Sequence, residues 1–314
     1  MPNNECSLGF ELSRALLRGT ALDADGNVHT HESVDLDQDN VAAQIVEMAE
    51  FLRTDRTITA VGVAVPGLVN HAANRVEVSP DLPNLTSANF YDELRSALNA
   101  PLWLDNDANA AAYAEYTRGA GRGCRDMFYA TIGAGVGGAL IFGGHVWRGA
   151  GGYAGEFGHL TINVENDTTL EYMASTENIV RRTHDRLMRD STSSLSQLGE
   201  QEDFTALDIA RAANEGDDFA LMMMARTGKF IGTALAGVIN LLNIERIVIG
   251  GEVTHEAGDT LLKPLKLEAE RLSFGPAFAS TQIVAAELGP EAVATGAALL
   301  AQAELAQGEA EARA

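Results

Sequence analysis

The chain has 314 residues, 46% of them hydrophobic, with 44 acidic against 22 basic side chains and a formal charge of −22. That length suits two domains with full cores, and so acidic a surface repels nucleic acid and anionic membrane while small ligands held by local dipoles stay open. Two cysteines, Cys6 and Cys124, neither in a C-x-x-C pair, argue against a disulfide framework or a cysteine metal cage.

The opening residues show no basic-then-apolar leader, and no apolar run reaches bilayer length, so a cytoplasmic protein is expected. "CSLGFELS" and "ALLRGTALD" read as a hairpin, and "DADGN" as a turn. In "DNVAAQIVEMAEFLR", Val41, Ile45, Met48, Ala49 and Leu52 recur at helical spacing on one face. "ITAVGVAVPG" reads as an interior strand closing on Pro66-Gly67, "FYDELRSALN" as a helix, "PLWL" as a strand, and "NAAAYAEYTRG" as a helix stopping at Gly119. This order predicts an α/β domain with a mixed sheet over 1–118, completed by a C-terminal helix over 291–306.

A second α/β domain is expected over 119–290. "DMFYATIGAGVGGALIFGGHVWRG" predicts two strands around a glycine-rich bend, and "EYMASTENIVRRTHDRLMRD" one helix. A polar loop over 190–203 precedes a long apolar helix over 217–243. "RIVIGGEV" and "TQIVAAEL" read as strands, and the acidic tail is expected to fray. Met222-Met223-Met224 reads as core packing, Trp103 and Trp147 as packed in or beside the sheet, and His29 and His31 as a surface pair.

Four stretches carry candidate chemistry. "LDNDANAAA" runs a strand into a helix through Asp105, Asn106, Asp107 and Asn109. One N-cap needs one such residue; a carboxylate at a strand's C-terminal end is also where α/β sheets bind ligands, and it can take a proton from a hydroxyl. "TIGAGVGGALIFGG" holds Gly133, Gly135, Gly137 and Gly138, which serve a tight hairpin or a close backbone approach to phosphate. "GYAGEFGHLTI" places Glu156 and His159 three apart, as a surface loop or a grip on vicinal hydroxyls, and Glu171 opens a helix whose dipole it favours. Gly250-Gly251 ends a strand, as a turn or as a bracket for an adenine.

The order of these motifs is more specific than any one of them. V-P-G, N-D-x-N-A-A, G-x-G-x-G-G, G-E-F-G-H, L-E-x-x-A-S and I-V-I-G-G, in that sequence, resemble the ROK family of bacterial sugar kinases and sugar-responsive repressors over about residues 58 to 300. The resemblance implies the actin-like, ribonuclease-H-like ATPase fold, in which two α/β domains close on a sugar and ATP-Mg²⁺. It implies Asp107 as the base that deprotonates the 6-hydroxyl of a hexose. Asn106, Glu156, His159, Glu171 and the Gly67 loop would hold the sugar, and Glu11, Gly133, Gly135, Gly137, Gly138, Gly250 and Gly251 the nucleotide. It also implies a homo-oligomer.

Three departures stand against that pattern. The family's D-x-G-G-T-K is here Glu11-Leu12-Ser13-Arg14-Ala15-Leu16, and its G-T-G is Gly133-Ala134-Gly135. Its C-x-C-G-x-x-G-C zinc cysteines are missing after His159, so no zinc is expected and His159 would need another partner, Asp167 or Glu165. The sugar motifs are intact while two phosphate loops are altered. The leading reading is an ATP-dependent hexose or N-acylhexosamine 6-kinase with an atypical phosphate site. The alternative is a ROK-derived sugar sensor without phosphoryl transfer and without a DNA-binding domain, since the first hairpin starts by about residue 7. A plain scaffold comes third.

Overall fold

A computed structural model describes residues 4–87, 89–187, 193–198 and 204–313. Strand β1 (Glu5–Leu12) is buried from Cys6 onward, which is why it reads as an unbroken apolar run. It pairs antiparallel with β2 (Leu16–Leu22), which pairs with the exposed edge strand β3 (Val28–Asp35). Helix α1 (Val41–Arg53) buries Val41, Ile45, Met48, Ala49 and Leu52, the face that the spacing predicts. β4 (Thr57–Val65) runs parallel to β1, and a short hairpin follows in β5 (Leu68–Asn70) and β6 (Arg75–Val78). After α2 (Phe90–Leu98), β7 (Leu102–Asn106) lies parallel to β4 and passes directly into α3 (Asp107–Arg118).

The glycine-rich hairpin forms as β8 (Met127–Ile132) and β9 (Val136–Phe142). Short strands β10 (His145–Val146), β11 (Thr161–Asn163) and β12 (Thr168–Thr169) come next. The single helix expected from Glu171 is two, α4 (Leu170–Ala174) and α5 (Thr176–Leu187), because Ser175 takes an extended conformation at ψ 156°. Of the polar segment 190–203, residues 193–198 are described, and α6 (Leu195–Leu198) is one helical turn there. The rest of that segment lies outside the described residues. α7 (Ala206–Asn214) and the 25-residue α8 (Asp218–Leu242) precede β13 (Arg246–Gly250). Helices α9 (Glu252–Ala257), α10 (Asp259–Leu272) and α11 (Gly275–Ala279), strand β14 (Gln282–Ala285) and helix α12 (Ala292–Arg313) complete the chain. α12 continues through the acidic tail, where fraying was expected.

The chain gathers into two compact units. The first comprises Met1–Arg122, His145–Ala154 and Glu287–Ala314, around a sheet of order β3-β2-β1-β4-β7. α12 lies flat on this sheet over Gly9 and Gly62, where a Cβ would come within 2.0 Å of the Ala294 and Ala297 carbonyl oxygens. The second unit comprises Gly123–Gly144 and Gly155–Ala286. Its strands run in the order β9-β8-β13-β14, antiparallel between β8 and β9 and parallel elsewhere. Met223 and Met224 are buried on α8, Met222 is 40% exposed, and Trp147, expected beside the sheet, is 52% exposed.

Candidate functional site

In the first unit the strand-to-helix junction at Asn106–Asp107 answers the capping question. Asn106 is the N-cap: its side-chain oxygen accepts from the amides of Ala108 at 2.8 Å and Asn109 at 3.3 Å. Its Nδ2 donates to the Gly67 carbonyl at 2.9 Å. Gly67 needs a left-handed backbone, φ 112°, and a Cβ there would lie 2.1 Å from the Val78 carbonyl. Gly67, Asn106 and Asp107 therefore come together. Asp107 is half-buried at the first helical position, where the helix dipole favours a carboxylate, and the cap is already supplied by its neighbour.

Asp105, two residues before Asp107, is buried and serves the framework. Its Oδ2 accepts from Arg148 Nε at 3.0 Å and Nη2 at 2.6 Å, and its Oδ1 from Asn109 Nδ2 and the Asn106 amide at 2.8 Å each. Arg148 also reaches Glu304 of α12 at 3.2 Å, and Glu304 pairs with His71 Nε2 at 3.1 Å. The void beside this cluster measures about 10 Å³, one water at most. Reading the sequence motif by motif missed His71, Arg148 and Glu304; a lone Arg inside the glycine-rich "WRGAGG" was the one available signal.

The cluster makes stability depend on pH. Burial works most strongly, to lower the His71 pKa, but the hydrogen bond to Glu304 together with the charges of Asp105 and Glu304 outweighs it, and the net shift is upward from 6.5. That same bond pulls Glu304 below its ordinary 4.5 against an opposing burial cost. The raised imidazole stabilises the fold fully below pH 6.5 and stops doing so as pH rises through its folded pKa; the lowered carboxylate contributes above pH 4.5 and stops as pH falls through its own. Wild type should thus exceed His71→Gln in urea stability most between about pH 4.5 and 6.5, with the margin shrinking as pH rises further through the raised imidazole pKa. A margin that grows with pH would contradict this assignment.

The second unit holds the other expected sugar ligands. Glycines at both ends of "GEFGH" press the segment onto β9. At Gly155 (φ 100°) a Cβ would meet the Gly138 carbonyl at 2.4 Å, and at Gly158 the Val136 carbonyl at 2.3 Å. Phe157 packs edge-on against Phe128, and Glu156 and His159 are left projecting. Gly138 thus has a packing duty. His159 Nε2 lies 3.9 Å from Glu156 Oε2, and its side chain is 72% exposed, so Glu156 takes the place expected for Asp167 or Glu165. Burial pushes the Glu156 carboxyl up; His159 opposes and the charge of Glu171 adds to the rise. Glu171 Oε2 accepts from the Val136 amide at 2.9 Å, which holds the 133–135 turn, and a Cβ at Gly135 would come 2.9 Å from that carboxylate oxygen. The turn is closed by Gly133 N donating to Gly135 O at 2.9 Å and Thr176 N to Gly133 O at 2.8 Å. Gly137 lies in β9. Gly250 packs on the Tyr129 hydroxyl, and Gly251 (φ 99°) turns β13 into α9 against the Ile132 carbonyl.

Glu11 stands near the end of β1, paired with Arg18 at 3.1 Å across the β1–β2 register. The turn beyond it is closed: Ser13 N donates to Leu16 O at 2.9 Å, and Leu16 N to Ser13 Oγ at 3.0 Å. Arg14 is exposed. Among the described residues no three His, Cys, Asp or Glu side chains form a metal-sized group, and no helix is long and apolar enough to cross a membrane.

Known proteins place this architecture. The profile of the ROK family matches residues 8–304. A glucokinase of Halalkalibacterium halodurans is 36% identical over 214 residues, 65% of this chain and 64% of that one, so the match spans just under two thirds of the relative's length. Among solved structures, a ROK family transcriptional regulator homologous to the E. coli MLC protein superposes with a TM-score of 0.86 at 28% identity, covering 97% of this chain and 79% of that one. A ROK family glucokinase from Streptomyces griseus, in complex with glucose and AMPPNP, gives 0.81 at 26% identity, covering 95% and 99%. The two-sheet α/β architecture is that of the actin-like ATPase fold, and the chain belongs to the ROK family.

Proposed function

We propose that the chain is a ROK-type sugar kinase that transfers the γ-phosphate of Mg-ATP to the 6-hydroxyl of a hexose or N-acylhexosamine. The observation that carries this reading is at the β7–α3 junction: Asn106 is the N-cap, and a carboxylate, Asp107, stands beside it at the first helical position, its Oδ1 accepting from the Ala108 amide at 2.9 Å. Asp107 takes the hydroxyl proton as the oxygen attacks the γ-phosphorus in line. Asn106, the Gly67 loop, Glu156, His159 and Glu171 hold the sugar hydroxyls, and the glycines at 133, 135, 137, 138, 250 and 251 accommodate the nucleotide. Glu11 does not fit a magnesium ion, because its carboxylate already carries the Arg18 guanidinium, and no step is assigned to a metal there.

That pair, with the closed turn after it, favours a second reading: a sugar sensor that binds hexose without phosphorylating it. A coupled ADP-release assay with Mg-ATP over glucose, N-acetylglucosamine, N-acetylmannosamine, mannose and fructose separates the two. Sugar-dependent turnover is expected for at least one. Thermal stabilisation by a sugar without turnover selects the sensor, and no response to any sugar removes both.

A further inference from the structure

The second unit buries one charge that phosphoryl transfer does not use. Arg182, in α5, is 3% exposed. Its Nη2 donates to Thr227 Oγ1 of α8 at 2.7 Å, while Nε and Nη1 are buried with no hydrogen-bond partner among the described residues. The guanidinium sits 5.3 Å from the Phe230 ring centroid. A ring can receive the face of the cation, but it gives no acceptor to the in-plane N–H groups.

The surrounding charge is of the same sign. Burial first, then Arg186, Arg226 and Arg181, push the Arg182 pKa down to about 10, which leaves it charged at neutral pH. Arg181 is occupied by Asp185 at 3.6 Å and by the face of Tyr172, and Arg186 donates to the Arg182 carbonyl. In a chain with 44 acids against 22 bases, no ion pair among the described residues involves Arg182. A buried guanidinium with two empty donors is costly unless something else supplies the acceptors.

We propose that Arg182 is the centre of an anion site between α5 and α8 that takes the phosphate group of inorganic phosphate or of a small phosphate ester. Nε and Nη1 face different edges of the guanidinium, so a phosphate oxygen is met by either empty donor singly, with the cation's charge behind it. Arg181, Arg186 and Arg226 add a field that favours an anion in an otherwise acidic molecule. Phe230 is also a wall of a groove of about 550 Å³, shared with Tyr172, Met173, Asn163 and Asn166, whose one acidic lining residue is Glu165. Phe230 is half-buried and stands against both that groove and the guanidinium, 5.3 Å from its ring centroid. The site is independent of the kinase reading.

The test is a thermal-shift and calorimetric titration of the full chain with inorganic phosphate and, separately, glucose 6-phosphate, at constant ionic strength against chloride. The wild type should respond saturably to at least one. Arg182→Met should bind that ligand at least about tenfold more weakly, and its unliganded Tm should equal or exceed the wild type's, because an uncompensated buried charge is gone. Arg182→Lys, which keeps the charge and loses the planar set of donors, should fall between, and Phe230→Ala should keep the response. The probe whose effect Arg182→Met abolishes names the source of the phosphate. Three results overturn the site: no response in the wild type to either probe, an equal response in Arg182→Met, or an unliganded Arg182→Met or Arg182→Lys that melts below the wild type.

Discussion

Arg148→Met is expected to destabilise the first unit by about 3–5 kcal/mol, the range for stranding one member of a buried ion pair. Arg148 is the cation between two acids: its Nη2 lies 2.6 Å from Asp105 and 3.2 Å from Glu304. Methionine fills much of the volume and supplies no donor. Asp105, 9% exposed at its side chain, then keeps only Asn109 and the Asn106 amide, and His71 lies 3.9 Å away. The loss should appear as a lower urea midpoint and a Tm reduced by about 10 °C. The double variant Asp105→Leu plus Arg148→Met should recover much of it, since replacing both charges by apolar groups is close to neutral. A double variant no more stable than Arg148→Met would mean that the arginine acts through something other than this pair.

Asp107→Asn should lower kcat by about 10²–10⁴-fold, the contribution of a positioned general base. Asparagine keeps the shape and the helix position but cannot accept the proton at neutral pH. The cap belongs to Asn106, so stability should move by less than about 1 kcal/mol. Asn106→Ala should behave in the opposite sense, losing the cap, the bond to Gly67 and a proposed sugar contact together. The two variants therefore separate chemistry from framework at adjacent positions.

The long elements were legible because burial writes a period into the chain. The α1 face, the apolar β1 and β4 strands, and the glycine hairpin of β8 and β9 all formed as read. What escaped was either short or non-local. The β5–β6 hairpin has three and four residues, too few for a period to emerge. Helix α10 carries Pro264 in its interior, a residue that reads as a break. Ser175 ends one helix and precedes another within what looks like a single amphipathic run. The buried cluster joins positions 71, 105, 148 and 304, and no window of sequence contains two of them.

Glycines were the other source of ambiguity. Gly138, Gly155 and Gly158 are small because one backbone segment lies on another. A sequence shows the absence of a side chain and not what took its space, so a phosphate cradle and a packing contact look alike. The candidate acids divided more cleanly. Asp105 belongs to the framework, Glu171 braces the 133–135 turn, and Asp107 is the acid to which we assign the proposed chemical role.

Calorimetric titration of Asp107→Asn with the hexose that supports fastest turnover is the sharpest single measurement. Binding within about threefold of the wild type, alongside a kcat reduced by at least about 10², is the predicted result. Turnover that survives the substitution unchanged, or hexose binding lost together with it, would contradict the assignment of Asp107 as the base of a sugar kinase.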